Sequence, residues 1–573
     1  MTRRILIAAL LMGVVLWLSP RLFPVPPKPV VRDTAAATAA GPSAATAATP
    51  NGAAGTTSTA ITGSGARDSV RSNAAAAPPV RAETTVVADS VVQARFSSVG
   101  ASFANVTLTQ FHSRRNGDTS HVELARPREP LLAYQLAAPR DTVRLDALPF
   151  TAQRAATPGS TSVVEYLAPS SVGDVAIRYA LEPGSYVTHV TGSVKGAPPG
   201  TSLLVTLPPG LRSAEADTSD DVNHLAIAYK RAPDDAKGVA FHSIDAGERQ
   251  LVRGPIEWAV TKSKYFLVAV VAPDSTSAFG DLVLTGGPRL TKQATHMTGV
   301  LSVPLKDGAF AFDVYAGPQE WRRLRAMGHE LDTANPYGGF LQPVVQPFAT
   351  VVMRVLLWMH EKMKLSYGWV LVLFGVAVRL LTWPLNQSAM RTSLKMQRIQ
   401  PELAEIQRRH KKDPQRLNEE MMKLYRQHGM SPFSSLSGCM PMLIPMPVLF
   451  ALFFVFQNTI EFRGVPFLWL PDISLRDPLY ILPVLMGLSM FLLSWIGMRN
   501  APPNPQAKMM AYVMPIVMTA IFFRFPSGLN LYYTVQNIVT LPQQWLLSKE
   551  RAKTTAAAPV VAPVGGGRRR PAT

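Results

Sequence analysis

Arg379 sits where an arginine is hardest to keep. It lies within an apolar block, Tyr367 to Leu385, roughly 18 Å from the block's outer end if the block is helical, at about 1.5 Å per residue. That depth is past the midplane of a hydrocarbon core about 30 Å thick. An arginine there costs about 2.5–3.5 kcal/mol on insertion scales, so it faces protein, water or a counter-charge rather than lipid. Two chemistries are open: a positive charge displayed in a water-accessible groove, or a guanidinium that snorkels to the inner interface.

Catalytic chemistry finds less support. Gly487-Leu-Ser489-Met matches the short pattern of intramembrane serine proteases, but such a serine needs a base. None of the apolar blocks contains a histidine; His360, His410 and His428 all lie outside them. His360-Glu-Lys-Met-Lys lacks the second histidine of a zinc-protease helix. The segment from Thr84 to Gly317 shows no metal-ligand cluster and no glycine-rich phosphate loop, and the expectation is a protein without catalysis and without a cofactor. The single cysteine, Cys439, rules out a disulfide within the chain and, in an apolar block, reads as a small buried hydrophobe.

The elements that must position Arg379 are five apolar blocks: Tyr367 to Leu385, Leu436 to Ile460, Leu479 to Gly497, Met509 to Phe523 and Gly528 to Leu547. Each is long enough to cross a bilayer, the fourth only barely. That block, bounded by Lys508 and Arg524, spans only about 22 Å as a helix, and a short span thins the bilayer beside it. Methionines recur in these blocks, among them Met440, Met486, Met490, Met514 and Met518. They suit a surface that accepts many apolar partners, or serve as ordinary core filler.

Between the first two blocks, residues 386–435 are polar. Met396, Ile399, Leu403 and Ile406 recur at helical spacing, as do Leu417, Met421 and Leu424, with a break at Asp413-Pro414. Asp is a good N-cap and Pro fits the first helical turn, so this is a helical hairpin in water. Ahead of the blocks, residues 318–366 hold a connecting segment and an amphipathic helix. In it Val344, Val345, Phe348, Val351, Val352, Val355, Leu356 and Met359 form one face, and Gln346, Arg354 and His360 the other. Such a helix lies along the membrane surface or packs on the preceding domain.

That domain, residues 84–317, reads as short alternating or β-branched runs punctuated by Pro and Gly, for example Ser162-Val-Val-Glu-Tyr-Leu and Ala309-Phe-Ala-Phe-Asp-Val-Tyr. A β-sandwich is predicted. Gly196-Ala-Pro-Pro-Gly and Leu207-Pro-Pro-Gly fit hairpin or crossover loops. Before it, residues 24–83 are dominated by Ala, Thr, Gly, Ser and Pro and read as a disordered linker. Residues 1–23 combine Arg3-Arg4 with an apolar core from Ile5 to Leu18, without a small-x-small cleavage site. They read as an uncleaved transmembrane anchor.

Charge orients the whole. The formal net charge is +19, and the Lys and Arg residues cluster beside apolar blocks, where anionic lipid and the positive-inside rule place them. The hairpin holds ten Lys and Arg against five Asp and Glu, and the basic tail 549–573 holds six against one. With the N-terminus inside, both fall on the cytoplasmic side together with the loop between Arg499 and Lys508, and the β-domain falls outside.

Several stretches are family-specific. Val378-Arg379-Leu-Leu-Thr-Trp-Pro384-Leu, Met396-Gln-Arg-Ile-Gln-Pro401-Glu-Leu, Gly438-Cys-Met-Pro-Met-Leu-Ile-Pro-Met-Pro, Asp477-Pro-Leu-Tyr-Ile-Leu-Pro-Val-Leu-Met-Gly and Phe525-Pro-Ser-Gly-Leu-Asn-Leu-Tyr-Tyr resemble the YidC/Oxa insertase family over nearly the whole chain. The resemblance implies an inner-membrane protein with six transmembrane helices, five forming a bundle around a hydrophilic groove open to the cytoplasm. It implies a β-supersandwich for the periplasmic domain. Arg379 is then the groove's charge, with Tyr532 or Tyr533 near passing substrate. The implied activity is insertion and folding of membrane proteins, alone or beside the Sec translocon. The implied partners are nascent membrane proteins, the ribosome, that translocon and anionic membrane lipids. Two positions depart from the pattern: Pro445 stands where relatives often carry a glutamine in the groove, and Gly375 where a hydroxyl residue occurs. Arg524 adds a charge where relatives tend to be aromatic. A transporter or lipid flippase is the alternative class, but no internal repeat of the kind common in transporters is visible. A structural anchor for the β-domain, a third class, leaves Arg379 unexplained.

Overall fold

The computed structural model describes residues 82–155, 161–274, 277–289, 293–335, 342–411, 413–428, 446–499 and 505–556. All of these residues lie within one compact unit, Arg81–Thr573. The anchor expected at 1–23, the linker up to Arg81, Cys439, Pro445 and the arginines 568–570 of the tail lie outside the described residues.

Alternating apolar residues build the β-domain. In the strand Ser162–Ser170 the buried positions are Val164, Tyr166 and Ala168, as the two-residue period of a half-buried strand requires. Among the described residues the domain has three sheets of four, nine and six strands. The four-stranded sheet runs in chain order from Thr84–Ala88 to His121–Glu123. The nine-stranded sheet is centred on Ile256–Lys262, Phe266–Val271, Ala309–Pro318 and Val187–Lys195, all antiparallel neighbours. Gly196–Gly200 is the crossover from Val187–Lys195 to Ser202–Thr206 of the six-stranded sheet.

One core serves all three sheets. Phe96 of the four-stranded sheet lies 4.5 Å, centroid to centroid, from Tyr179 of the nine-stranded one, and the Tyr179 hydroxyl donates to Tyr134 of the six-stranded one at 2.9 Å. Burying such side chains contributes roughly 1.5–3 kcal/mol each. Phe266–Val271 is buried along its whole length, and Phe111 of the four-stranded sheet packs edge-on to Phe266 at 5.7 Å. The segment after the last strand also packs on this sheet. There Trp258 Nε1 donates to the His329 carbonyl at 2.9 Å.

Nine α-helices are described: α1 (Thr218–Asn223), α2 (Trp321–Ala326), α3 (Gln342–Met363), α4 (Tyr367–Arg409), α5 (Pro414–Gln427), α6 (Met446–Asn458), α7 (Ile481–Met498), α8 (Pro505–Phe522) and α9 (Ser527–Ala556). Helix α4 is continuous over 43 residues. It contains both the first apolar block and the first arm of the polar hairpin, so no break in secondary structure marks the boundary expected at 385/386. Helix α5 returns beside its far end, where Ile399, Leu424 and Tyr425 are buried together with Leu403, Ile406 and Met421 packed around them. The turn is capped by Asp413, whose side chain accepts from Arg416 N at 3.1 Å, with Pro414 at the first helical position.

Two described helices are long and apolar enough to cross a membrane, over Tyr367–Pro384 and Ile481–Met498; Leu449–Asn458 and Lys508–Phe522 are shorter apolar helices. This differs from the six spans expected. The anchor and residues 436–445 of the second block lie outside the described residues, and helix α9, though 30 residues long, is made less apolar by Asn530, Gln536, Asn537, Gln543 and Gln544.

Helix α3 corrects the expected single apolar face. Val345, Ala349, Val352, Leu356 and Met359 are buried in the helical core, whereas Phe348, Val351 and Trp358 are exposed. The helix is apolar around most of its girth: one stripe packs on α6 and α4, and the other faces outward. Its polar edge meets the segment after the β-domain, with Arg354 over the Trp321 ring at 5.5 Å and Glu361 paired with Arg322.

Candidate functional site

Helix α9 lies along α4 and along α7, and its polar side chains divide between them. Tyr532, Gln536 and Gln543, spaced four and seven apart, share one face, and that face meets Gly375 and Arg379 of α4. Gln536 Nε2 donates to the Gly375 carbonyl at 3.1 Å and to the Tyr532 hydroxyl at 3.0 Å. Gly375 permits this approach: a Cβ built there would sit 3.2 Å from Val535 Cγ1 and 3.5 Å from Tyr532 Cδ2.

Arg379 is 9% exposed. Its Nη2 donates to Gln543 Oε1 at 2.6 Å, while its Nε is buried with no hydrogen-bond partner. Among the described residues no carboxylate lies within ion-pair distance of it. Gln543 Nε2 in turn faces the Trp383 carbonyl at 3.5 Å, one turn further along α4. A full positive charge thus sits inside an apolar bundle, steadied by a neutral amide.

The expected site residues separate. Arg379, Gly375 and Tyr532 come together, and Pro445 lies outside the described residues. Tyr532 is buried, its ring 6.0 Å from Phe374 of α4. Tyr533, about 100° further round the helix, turns instead toward α8, edge-on to Phe522 at 5.3 Å. Gln536 and Gln543 were not singled out from sequence, although carboxamides inside an apolar block are a signal of the same kind as Arg379. Ser489 ties α7 to α9, its hydroxyl donating to the Met486 carbonyl at 2.8 Å and accepting from Asn537 Nδ2 at 3.1 Å.

The bundle is joined to the β-domain by the segment between α6 and α7. Ile460 is buried in the β-domain core and Phe462, two residues on, in the helical core. Arg463 carries the polar part of this junction. Its Nε donates to both oxygens of Glu215, its Nη2 to the His112 carbonyl at 3.0 Å, and its guanidinium lies 5.4 Å from the Phe266 ring centre. Burial, only partly offset by Arg463, pushes the Glu215 carboxyl up to about 7.

Two family models match. One, described as 60Kd inner membrane protein, covers residues 358–554; the other, YidC periplasmic domain, covers residues 84–351. A membrane protein insertase YidC of Anaeromyxobacter sp. (strain Fw109-5) is 34% identical over 318 residues, 55% of this chain and 56% of that one. The chain therefore spans about half the length of that relative. The namesake of Bordetella avium (strain 197N) is 28% identical over 488 residues, 83% of this chain and 85% of that one, and that of Cupriavidus metallidurans is 29% identical over 501 residues, 84% and 86%. A solved structure described as an active YidC insertase with its first transmembrane domain resolved is 18% identical, with a TM-score of 0.33, over 81% of this chain and 93% of that one. With one family model on the β-domain and the other on the helices that hold Arg379, the chain belongs to the YidC family of 60Kd inner membrane proteins.

Proposed function

We propose that the chain is a membrane protein insertase. The observation that carries this is Arg379: a charge held inside the bundle with one neutral partner and, among the described residues, no carboxylate beside it. A charge kept there at a cost of about 2.5–3.5 kcal/mol is retained for something that passes through.

The mechanism is facilitated partitioning, without nucleotide hydrolysis or covalent chemistry. Nascent membrane proteins are the substrates. The polar hairpin and basic tail meet the ribosome, whose RNA phosphates attract Lys and Arg, and the same residues bind anionic lipid. Arg379, Gly375 and Tyr532 line a hydrophilic groove, with Tyr533 toward α8. Arg379 shelters the polar flank of the client while its apolar residues slide into lipid. Six spans, with α4, α6, α7, α8 and α9 forming the core, place both termini in the cytoplasm and the β-domain, a supersandwich, in the periplasm. The short α8 thins the bilayer and shortens the crossing. The Sec translocon is a second partner.

The test is insertion of matched clients that differ only in the charge of the translocated segment. Arg379→Lys should retain much of the activity, since a point charge suffices; Arg379→Ala should fail most on acidic segments. Equal activity of wild type and Arg379→Ala on every client overturns the proposal.

A further inference from the structure

We propose that Gln543 is a positioning residue for the Arg379 charge, an acceptor that fixes the guanidinium inside the bundle without cancelling it. The inference rests on the role proposed for Arg379 and goes on to say how the charge is kept usable.

Gln543 is 2% exposed, so its amide has no recourse to water. The Trp383 carbonyl, at 3.5 Å from Nε2, orients that amide. An amide turned the other way would set its two N–H donors against those of the guanidinium and its oxygen against a carbonyl. The oxygen therefore points at Arg379 Nη2, 2.6 Å away. Side-chain chemistry narrows the choice at this position. An apolar residue offers no acceptor and leaves a buried cation unsupported. A carboxylate at the same distance forms a buried ion pair that ties the charge to a fixed partner. A glutamine accepts the hydrogen bond and stays neutral. Arg379 Nε is buried without a partner, so Gln543 steadies the guanidinium through Nη2 alone and leaves its charge uncompensated. Gln536, seven residues earlier on the same face, repeats the pattern: a neutral amide bonded to the Gly375 carbonyl and the Tyr532 hydroxyl. The face of α9 toward α4 thus supplies polarity without negative charge.

The test uses the full chain in proteoliposomes of defined composition, with client pairs that have an acidic or a neutral translocated segment. Gln543→Glu is nearly isosteric and places a carboxylate against the guanidinium. It should lower insertion of the acidic client by about tenfold, leave the neutral client within about twofold, and keep the thermal midpoint at or above wild type. Gln543→Met, neutral, should make no further difference in an Arg379→Ala background. Gln543→Met, neutral and without an acceptor, should lower acidic-client insertion by about threefold because the guanidinium is no longer held. Wild-type insertion of the acidic client by Gln543→Glu, or equal loss of both clients with a lowered midpoint, overturns the inference. So does Gln543→Met indistinguishable from wild type. Should Arg379→Ala insert all clients normally, the charge proposal itself falls; should Arg379→Ala fail on acidic clients while Gln543→Glu does not, only the role of Gln543 falls.

Discussion

Arg463 and Glu215 join the helical bundle to the β-domain through one buried pair, in which Arg463 Nε donates to both carboxylate oxygens at 2.8 and 3.0 Å. The two side chains are 4% and 7% exposed. With Arg463 gone, the Glu215 carboxyl, already pushed up to about 7, takes up a proton at neutral pH and is left buried without its partner. Arg463→Ala should therefore destabilise the chain by about 1–3 kcal/mol, the cost of an unsatisfied buried polar group. The double variant Arg463→Met/Glu215→Leu should cost less than that single change, since it leaves no buried polar group unpaired. Thermal unfolding in detergent at neutral pH compares them, and a double variant worse than Arg463→Ala rules out this account of the junction.

Two residues before Arg463, Glu461 should make stability depend on pH. Its Oε2 is buried with no partner, and burial, with Glu320 nearby adding repulsion, pushes its carboxyl from 4.5 up to about 7 despite hydrogen bonds and Arg322. Below pH 4.5 both folded and unfolded chains carry the proton. Between 4.5 and about 7 only the folded chain holds it, so stability falls as pH rises and levels off above 7. Glu461→Gln should match wild type at about pH 4 and exceed it at about pH 8 by roughly 1–3 kcal/mol. Identical unfolding midpoints for the two proteins at the higher pH would sink the prediction.

Much of this architecture is legible in one dimension because its signals are local. The alternation in Ser162–Ser170 marks a strand, Asp413-Pro414 marks a helix start, and Arg379 announces itself as a charge in an apolar block. Other features need the third dimension. Nothing in the sequence around Asn386 distinguishes a helix that ends at a membrane surface from one that continues beyond it, so α4 reads as two pieces. Helix α3 is apolar on two sides, and only its packing on α6 tells Val352 from Val351. Gln543 pairs with a residue 164 positions earlier, a separation that no periodicity reveals.

Helix contacts inside the bundle grade the glycines. A Cβ on Gly487 would run into the Thr519 side chain, where α7 meets α8, whereas at Gly375 the nearest atom is Val535 Cγ1 at 3.2 Å, the end of a side chain that can shift by a few tenths of an ångström. Gly487→Ala should therefore cost about 1–3 kcal/mol by prying α7 from α8. Gly375→Ala should cost under about 1 kcal/mol. Thermal midpoints rank the two, and the reverse order would show that this helix crossing is not tightly packed.

The proposed orientation of the chain rests on charge alone and can be tested without any assumption about Arg379. The stretch 386–435 holds ten Lys and Arg against five Asp and Glu, and 549–573 holds six against one. Basic segments beside apolar helices stay on the cytoplasmic side because moving them across is unfavourable in an energised membrane. If α6 to α9 each cross once, four crossings separate the hairpin from the tail, which puts both on one side; a single crossing by the first part of α4 then puts the β-domain on the other. Reporters fused after Lys412 and after Lys553 should read cytoplasmic, and one fused near Gly317 should read periplasmic. A span too few, for instance if the short α8 enters and leaves on the same side, would move the tail reporter outside while leaving the other two unchanged. A periplasmic signal after Lys412 would instead overturn the orientation of the whole chain, since that site is separated from the β-domain by α4 alone among the helices taken to cross.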